Sequence, residues 1–131
     1  RANEYKASDT IFVSIHCNAA GSGSEWMRAR GWEAWTSAGQ TKADKLADSL
    51  YAAAERLLPD MKIRKDMSDG DADKESGFYI LKHTKCPAVL TENLFQDNKE
   101  DVDFLLSEEG KRAIVDLHVQ GIVNYLNNSK K

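Results

Sequence analysis

Phe12-Val13-Ser14-Ile15-His16-Cys17-Asn18-Ala19-Ala20-Gly21 is the stretch around which the rest of the chain is read. Ile11 to Ile15 is mostly β-branched and aromatic, and Asn18, Ala19 and Gly21 punctuate the residues after it. That pattern predicts a short buried strand ending in a loop. His16 then falls at the strand's carboxyl end, beside small residues that leave room for other groups. Open α/β sheets bind ligands beyond the carboxyl ends of their strands, and a neutral imidazole is the commonest metal ligand. A lone histidine near a strand end is more often structural, so spacing alone leaves both readings open.

A second stretch has the same form. Cys86-Pro87-Ala88-Val89-Leu90-Thr91-Glu92-Asn93-Leu94-Phe95 predicts a strand over Ala88 to Thr91, with Glu92 at its end. Asn98 comes next as a helix start, with Asp101 in the capping-box position and Val102, Leu105 and Leu106 on the apolar side.

Together these segments resemble the zinc-dependent N-acetylmuramoyl-L-alanine amidases of the cell-wall amidase type 3 family. Ser14-Ile15-His16-Cys17-Asn18-Ala19 is similar to that family's Ser-Ile-His-x-Asn-Ala signature. Pro87 to Phe95 is similar to its Pro-Ala-x-Leu-x-Glu-x-x-Phe segment, and Asn98-Lys99-Glu100-Asp101 followed by Leu105-Leu106 to its usual continuation. The likeness runs from about Asp9 to Tyr125. The resemblance implies a three-layer α/β sandwich, a mixed and largely parallel sheet with helices on both faces. It implies that His16 is a zinc ligand and Glu92 the general base and acid for hydrolysing the amide between N-acetylmuramic acid and L-alanine in peptidoglycan. Asn18 is expected to orient the loop around His16, and His83, ahead of Pro87, to approach the site as a substrate-binding group. It also implies action outside the cytoplasm (periplasm, wall or secreted) or as a phage-encoded lysin.

One departure matters. The family's zinc is held by two histidines and a glutamate, and the first histidine and the glutamate lie in motifs before the Ser-Ile-His strand. Neither motif is present, so His16 is the only ligand carried over. Residues 1–131 are expected to be one amidase domain lacking its N-terminal part, with an exposed sheet edge open to self-association. Two alternatives stand beside this: a zinc peptidase acting on another substrate, or a wall-binding remnant that does not cleave.

Composition fits and narrows this. The 131 residues suffice for one core, and 41% hydrophobic with 30% charged residues is ordinary for a globular domain. With 18 basic and 21 acidic residues the net charge is −3, against a nucleic-acid binder held by phosphate contacts. No apolar run approaches the ~20 residues that span a bilayer. Cys17 and Cys86 are read as small buried hydrophobes before a disulfide.

The remaining elements are connective. Residues 1 to 8 lead into the first strand, and Ala19 to Arg28 is a Gly/Ser loop containing Trp26. Gly31 to Thr36 alternates as a strand whose Glu33 is either a site residue or an ordinary hydrogen-bonded glutamate. Thr41 to Leu58 is the clearest helix, with Ala43, Leu46, Ala47, Leu50, Tyr51, Ala54, Leu57 and Leu58 on one stripe and Pro59 at its end. Met61 to Lys65 is a short strand. The acidic run from Asp66 to Glu75 has Lys74 where a calcium loop needs glycine and Ile80 where it needs glutamate, so it is a solvated loop. Ser107 opens a last helix striped by Gly110, Ala113, Ile114, Leu117, His118, Gly121, Ile122, Tyr125 and Leu126, with His118 a core histidine and Asn127 to Lys131 a fraying tail.

Overall fold

The computed structural model describes residues 1–36, 42–65, 74–75 and 79–129. The chain enters through two 3-10 turns, Ala2–Glu4 and Ala7–Asp9, and then forms strand β1, Phe12–Asn18. Strand β2, Trp32–Thr36, precedes helix α1, Lys42–Leu57; strand β3 is the two-residue Lys74–Glu75 and helix α2 is Tyr79–His83. Strand β4, Ala88–Phe95, leads to helices α3, Lys99–Leu106, and α4, Glu108–Ser129.

The sheet order is β1-β4-β2-β3. β1 runs parallel to β4 and β2 parallel to β3, while β2 and β4 are antiparallel. Strand alternation sorts the side chains into two layers. Val13, Trp32, Ala34 and Val89 pack with Leu46, Leu50 and Leu117 of α1 and α4. Phe12, Trp35, Ala88 and Leu90 pack with Ile80 and Leu81 of α2 on the opposite side. The result is the expected mixed α/β sandwich, with a thick layer on one face and, among the described residues, one short helix on the other.

The stripe expected over Thr41 to Leu58 is the buried face of α1, and Thr41 itself lies outside the described residues. Tyr51 ties three elements together: its hydroxyl accepts from Ala34 N (3.0 Å) and donates to Arg64 O (2.8 Å). Gly121 of α4 sits so close to Leu50 that a Cβ there would come within 3.0 Å of the Leu50 Cα. Asn98 caps α3 by accepting from Asp101 N, as its position predicted.

Several boundaries differ from the sequence reading. Met61 to Lys65 forms a single bridge, Ile63 beside Trp32, in place of a strand. Asn127 and Asn128 do not fray but continue α4, because an exposed helical turn needs no apolar side chain and Ser129 bonds back to Tyr125 O. Of the acidic run, residues 66–73 lie outside the described residues, while Lys74 and Glu75, expected in the loop, pair with Trp35 and Thr36 as β3 because β2 offers them a free side. Both cysteines are free; Cys86 is buried as expected, but Cys17 is exposed. No residue of β1 is buried, contrary to the sequence reading of that strand, because β1 pairs on one side alone at the end of the described strand order.

Candidate active site

His16 and Glu92 do not mark strand ends. β1 continues to Asn18 and β4 to Phe95, so both residues stand on the sheet. The strands extend because the chain supplies partners to their polar continuations: Gln96 N donates to Asn18 O (2.8 Å), and Asn93 Nδ2 donates to His16 O (2.9 Å).

The register brings the expected pair together. His16 of β1 lies opposite Glu92 of β4, and Glu92 lies opposite Glu33 of β2, giving one row of three ionisable side chains across adjacent strands. Directly paired residues have Cβ atoms about 4.5–5.5 Å apart. Just beyond, the register slips: His16 pairs with Glu92 but Asn18 with Phe95, so β4 carries one extra residue. Leu94, in that bulge, takes φ 67° and is fully buried. Bulges re-aim side chains beside functional sites, and here the bulge lets Asn93 and Leu94 both serve the thick core layer while Glu92 keeps the face it shares with Leu90.

Asp101 holds this geometry. Fully buried, it accepts from Phe95 N (3.0 Å), Gly31 N (3.1 Å) and Arg30 Nε (2.9 Å), fastening the end of β4 to the start of β2. Gly31 has φ 118° and lies against Lys62 O, which a Cβ would approach to 2.5 Å. A buried polar chain supports the row from below. His118 Nδ1 donates to Ile114 O (2.7 Å), so its Nε2 accepts from Thr91 Oγ1 (2.9 Å). Thr91 Oγ1 accepts in turn from Asn93 Nδ2 (2.9 Å), and Trp32 Nε1 donates to Asn93 Oδ1 (2.8 Å). His118 is thus the satisfied core histidine its position on the stripe predicted.

The three members of the row differ in their surroundings. Glu33, only 3% exposed, accepts from Asn18 Nδ2 (2.8 Å), Trp35 Nε1 (3.3 Å) and Arg64 Nε (3.0 Å). Sequence left its role open; it both faces the site and is fully engaged. Glu92 is the opposite case. Its Oε2 is buried and has no hydrogen-bond partner among the described residues. Burial pushes the Glu92 carboxyl above its ordinary value; His16 opposes this and Glu33 adds to it. His16 is exposed, with Nε2 2.9 Å from Ser14 Oγ.

Asn18 therefore meets the site through Glu33, and its own Oδ1 accepts from Ala19 N (2.9 Å) at the head of the following loop. His83 is not brought to the row. Its ring stacks on Tyr79 at 4.1 Å and its carbonyl accepts from Asn3 Nδ2, near the start of β4. Arg64, Asn93 and Asp101 build the site without having been legible as site residues in the sequence. Only the local capping signal of Asp101 could be read there.

As a zinc centre these residues fit in part. His16 is a suitable ligand, and an orphaned buried carboxylate oxygen next to it is what a reacting group requires. A catalytic zinc takes three protein ligands, and the described residues contain no group of three His, Cys, Asp or Glu side chains placed to hold a metal.

The family model of N-acetylmuramoyl-L-alanine amidase matches residues 2–124. The chain belongs to that family. An endolysin of Bacillus phage SPP1 is 35% identical over the whole chain, which spans 45% of that protein. The protein YqiI of Bacillus subtilis is 32% identical over 88% of the chain and 50% of its own length. The chain thus spans about half the length of these relatives. An N-acetylmuramoyl-L-alanine amidase of Clostridium difficile 630 superposes with a TM-score of 0.74 at 25% identity, covering 96% of this chain and 61% of that one. The catalytic domain of the CD27L endolysin, which targets Clostridia difficile, gives 0.59 at 28% identity, covering 87% and 54%.

Proposed function

We propose that the protein hydrolyses the amide joining the lactyl group of N-acetylmuramic acid to L-alanine in peptidoglycan, in a zinc-dependent reaction outside the cytoplasm or as a phage lysin. The observation that supports this most is the in-register pair of His16 and Glu92, with Glu92 Oε2 buried and unpartnered among the described residues. Family membership supplies the reaction class. No described helix is long and apolar enough to cross a membrane.

Zinc, when bound, polarises the carbonyl and lowers the pKa of a bound water to roughly 7. His16 would hold the zinc through one ring nitrogen. Glu92 takes the water's proton on its free oxygen and delivers it to the leaving nitrogen. Its raised affinity for a proton suits both halves of that transfer. Glu33, paired with Arg64 and held by Asn18 and Trp35, keeps the neighbouring strand in register.

A release assay on muropeptides with the full-length protein tests this. New lactyl groups free of peptide, lost after chelation and restored by zinc, are expected. Cleavage between two amino acids would replace the reading with a zinc peptidase. Binding of peptidoglycan without any cleavage would replace it with a non-catalytic wall binder, which the lack of a three-donor group among the described residues favours.

A further inference from the structure

Just past the His16–Glu92 row, the loop after β1 is built in an unusual way. Asp97, the second residue after β4, accepts from Ala20 N (2.9 Å) and Gly21 N (2.8 Å) through its carboxylate, and its carbonyl accepts from Met27 N (2.6 Å). Asn98 Nδ2 donates to Met27 O (3.0 Å). The Met27 side chain closes over Gly21, with its Sδ 3.0 Å from where a Cβ would stand. Both feet of the loop are therefore fixed, and residues 22–26 form an arch between them. At its crown Gly23 takes φ 95° with open space around it.

Under the arch is a cavity of about 520 Å³, lined by small residues, Glu25, Trp26, Gln96 and Asp97. That is within the roughly 300–1,000 Å³ usual for ligand sites. Trp26 is 59% exposed, although Trp32 is fully buried in the core. The Trp26 indole lines the cavity and offers a broad apolar face with an N–H at one end. The cavity's polar lining is the hydroxyls of Ser22 and Ser24, 3.4 Å apart, the Gln96 amide, and two carboxylates, Glu25 and the Asp97 already bonded to the loop amides. No lysine or arginine is among the lining residues, which disfavours phosphate or another anion. An aromatic face with hydroxyl and amide partners suits a sugar ring, whose C–H face packs on the indole while its hydroxyls and acetamido group hydrogen-bond.

We propose that the cavity beneath residues 22–26 is a saccharide subsite, with Trp26 as its platform, that holds an N-acetylated sugar of the glycan strand beside the reacting amide. Ala19, the first residue after β1, is three residues beyond His16, at most roughly 10 Å at about 3.3 Å per extended residue, within reach of a sugar linked to the scissile group. The subsite rests on the amidase reading for its place in the reaction but not for its binding, so the two are tested apart. Asp97 is a positioning residue: it fixes the arch and leaves the sugar to Trp26.

The test uses the uncharged disaccharide of two N-acetylglucosamine units, titrated into the full-length protein and followed by NMR. The Trp26 indole N–H and the amides of residues 22–25 should shift, and a sugar-free stem peptide should leave them in place. Trp26→Ala should weaken disaccharide binding about tenfold, the scale of one lost aromatic contact, whereas Trp26→Phe should retain part of it. Tyr5→Ala, which removes an exposed aromatic elsewhere, should bind as wild type does. Asp97→Asn should weaken binding and broaden the loop amides while the core resonances stay in place. Trp26→Ala binding within twofold of wild type, or shifts confined to other surfaces, would overturn the subsite. A protein that binds the disaccharide at Trp26 yet releases no peptide from muropeptides sinks the amidase reading alone.

Discussion

Replacing Glu92 with glutamine separates what the site costs the fold from what it gives the reaction. The variant keeps the side chain's shape and removes its charge. In the native protein Glu92 Oε2 is buried without a partner among the described residues, and burial above all, with Glu33 beside it, raises the carboxyl's affinity for its proton. A folded state that holds a proton more tightly than the unfolded chain has its full stability below the ordinary value of 4.5 and loses some as pH rises through the raised one. Glutamine has nothing to lose over that range. Glutamine leaves an equally unpartnered atom there but no charge to desolvate. Since part of the side chain meets water, the difference sits at the low end of the ~1–3 kcal/mol that buried unsatisfied polar groups cost. Glu92→Gln is therefore expected to be about 1 kcal/mol more stable than wild type at pH 7.5, which is about 4 °C in Tm for a domain of this size. The gain should vanish at pH 4. Thermal unfolding of chelator-stripped protein at both pH values, beside muropeptide release by the zinc-loaded form, measures both effects. Turnover should fall by ~10²–10⁴. A lower Tm at pH 7.5, or an equal gap at both pH values, would refute the idea that the free carboxylate is held at a cost. Turnover above about a tenth of wild type would remove Glu92 from proton transfer.

Asp101→Ala strips three donors of their buried acceptor, including the Arg30 guanidinium, and should cost about 3–5 kcal/mol; urea unfolding midpoints measure it, and a loss under about 1 kcal/mol would mean water replaces the carboxylate. Burial pushes the His118 imidazole below its ordinary 6.5. The folded state therefore takes up its proton late, and stability should be fully present above pH 6.5 and decline as pH falls below it. His118→Gln should flatten that decline in urea midpoints taken between pH 7.5 and 5; an unchanged slope would place the acid sensitivity elsewhere.

Local chemistry is enough to read much of this molecule from its sequence. The β-branched run before His16, the 3.6-residue stripe from Ala43 to Leu58 and the Asn98–Asp101 cap each depend on neighbours a few residues apart. The two motifs carrying His16 and Glu92 likewise identify the family without coordinates. Tertiary structure decided what depends on residues far apart in the chain. The strands run on to Asn18 and Phe95, past their expected ends, because Gln96 and Asp101 supply the pairing that lets polar residues remain in a ladder. The place of Glu33 in the row with Glu92 needs the antiparallel register of β2 on β4, and the one-residue bulge at Leu94 beyond it has no signature in side-chain hydrophobicity. Arg64 reaches Glu33 across 31 positions, and Asp97 reaches Gly21 across 76. Such contacts are chosen by the fold as a whole: a buried carboxylate or amide must find a partner, but the sequence does not say which one the chain will bring within hydrogen-bonding distance.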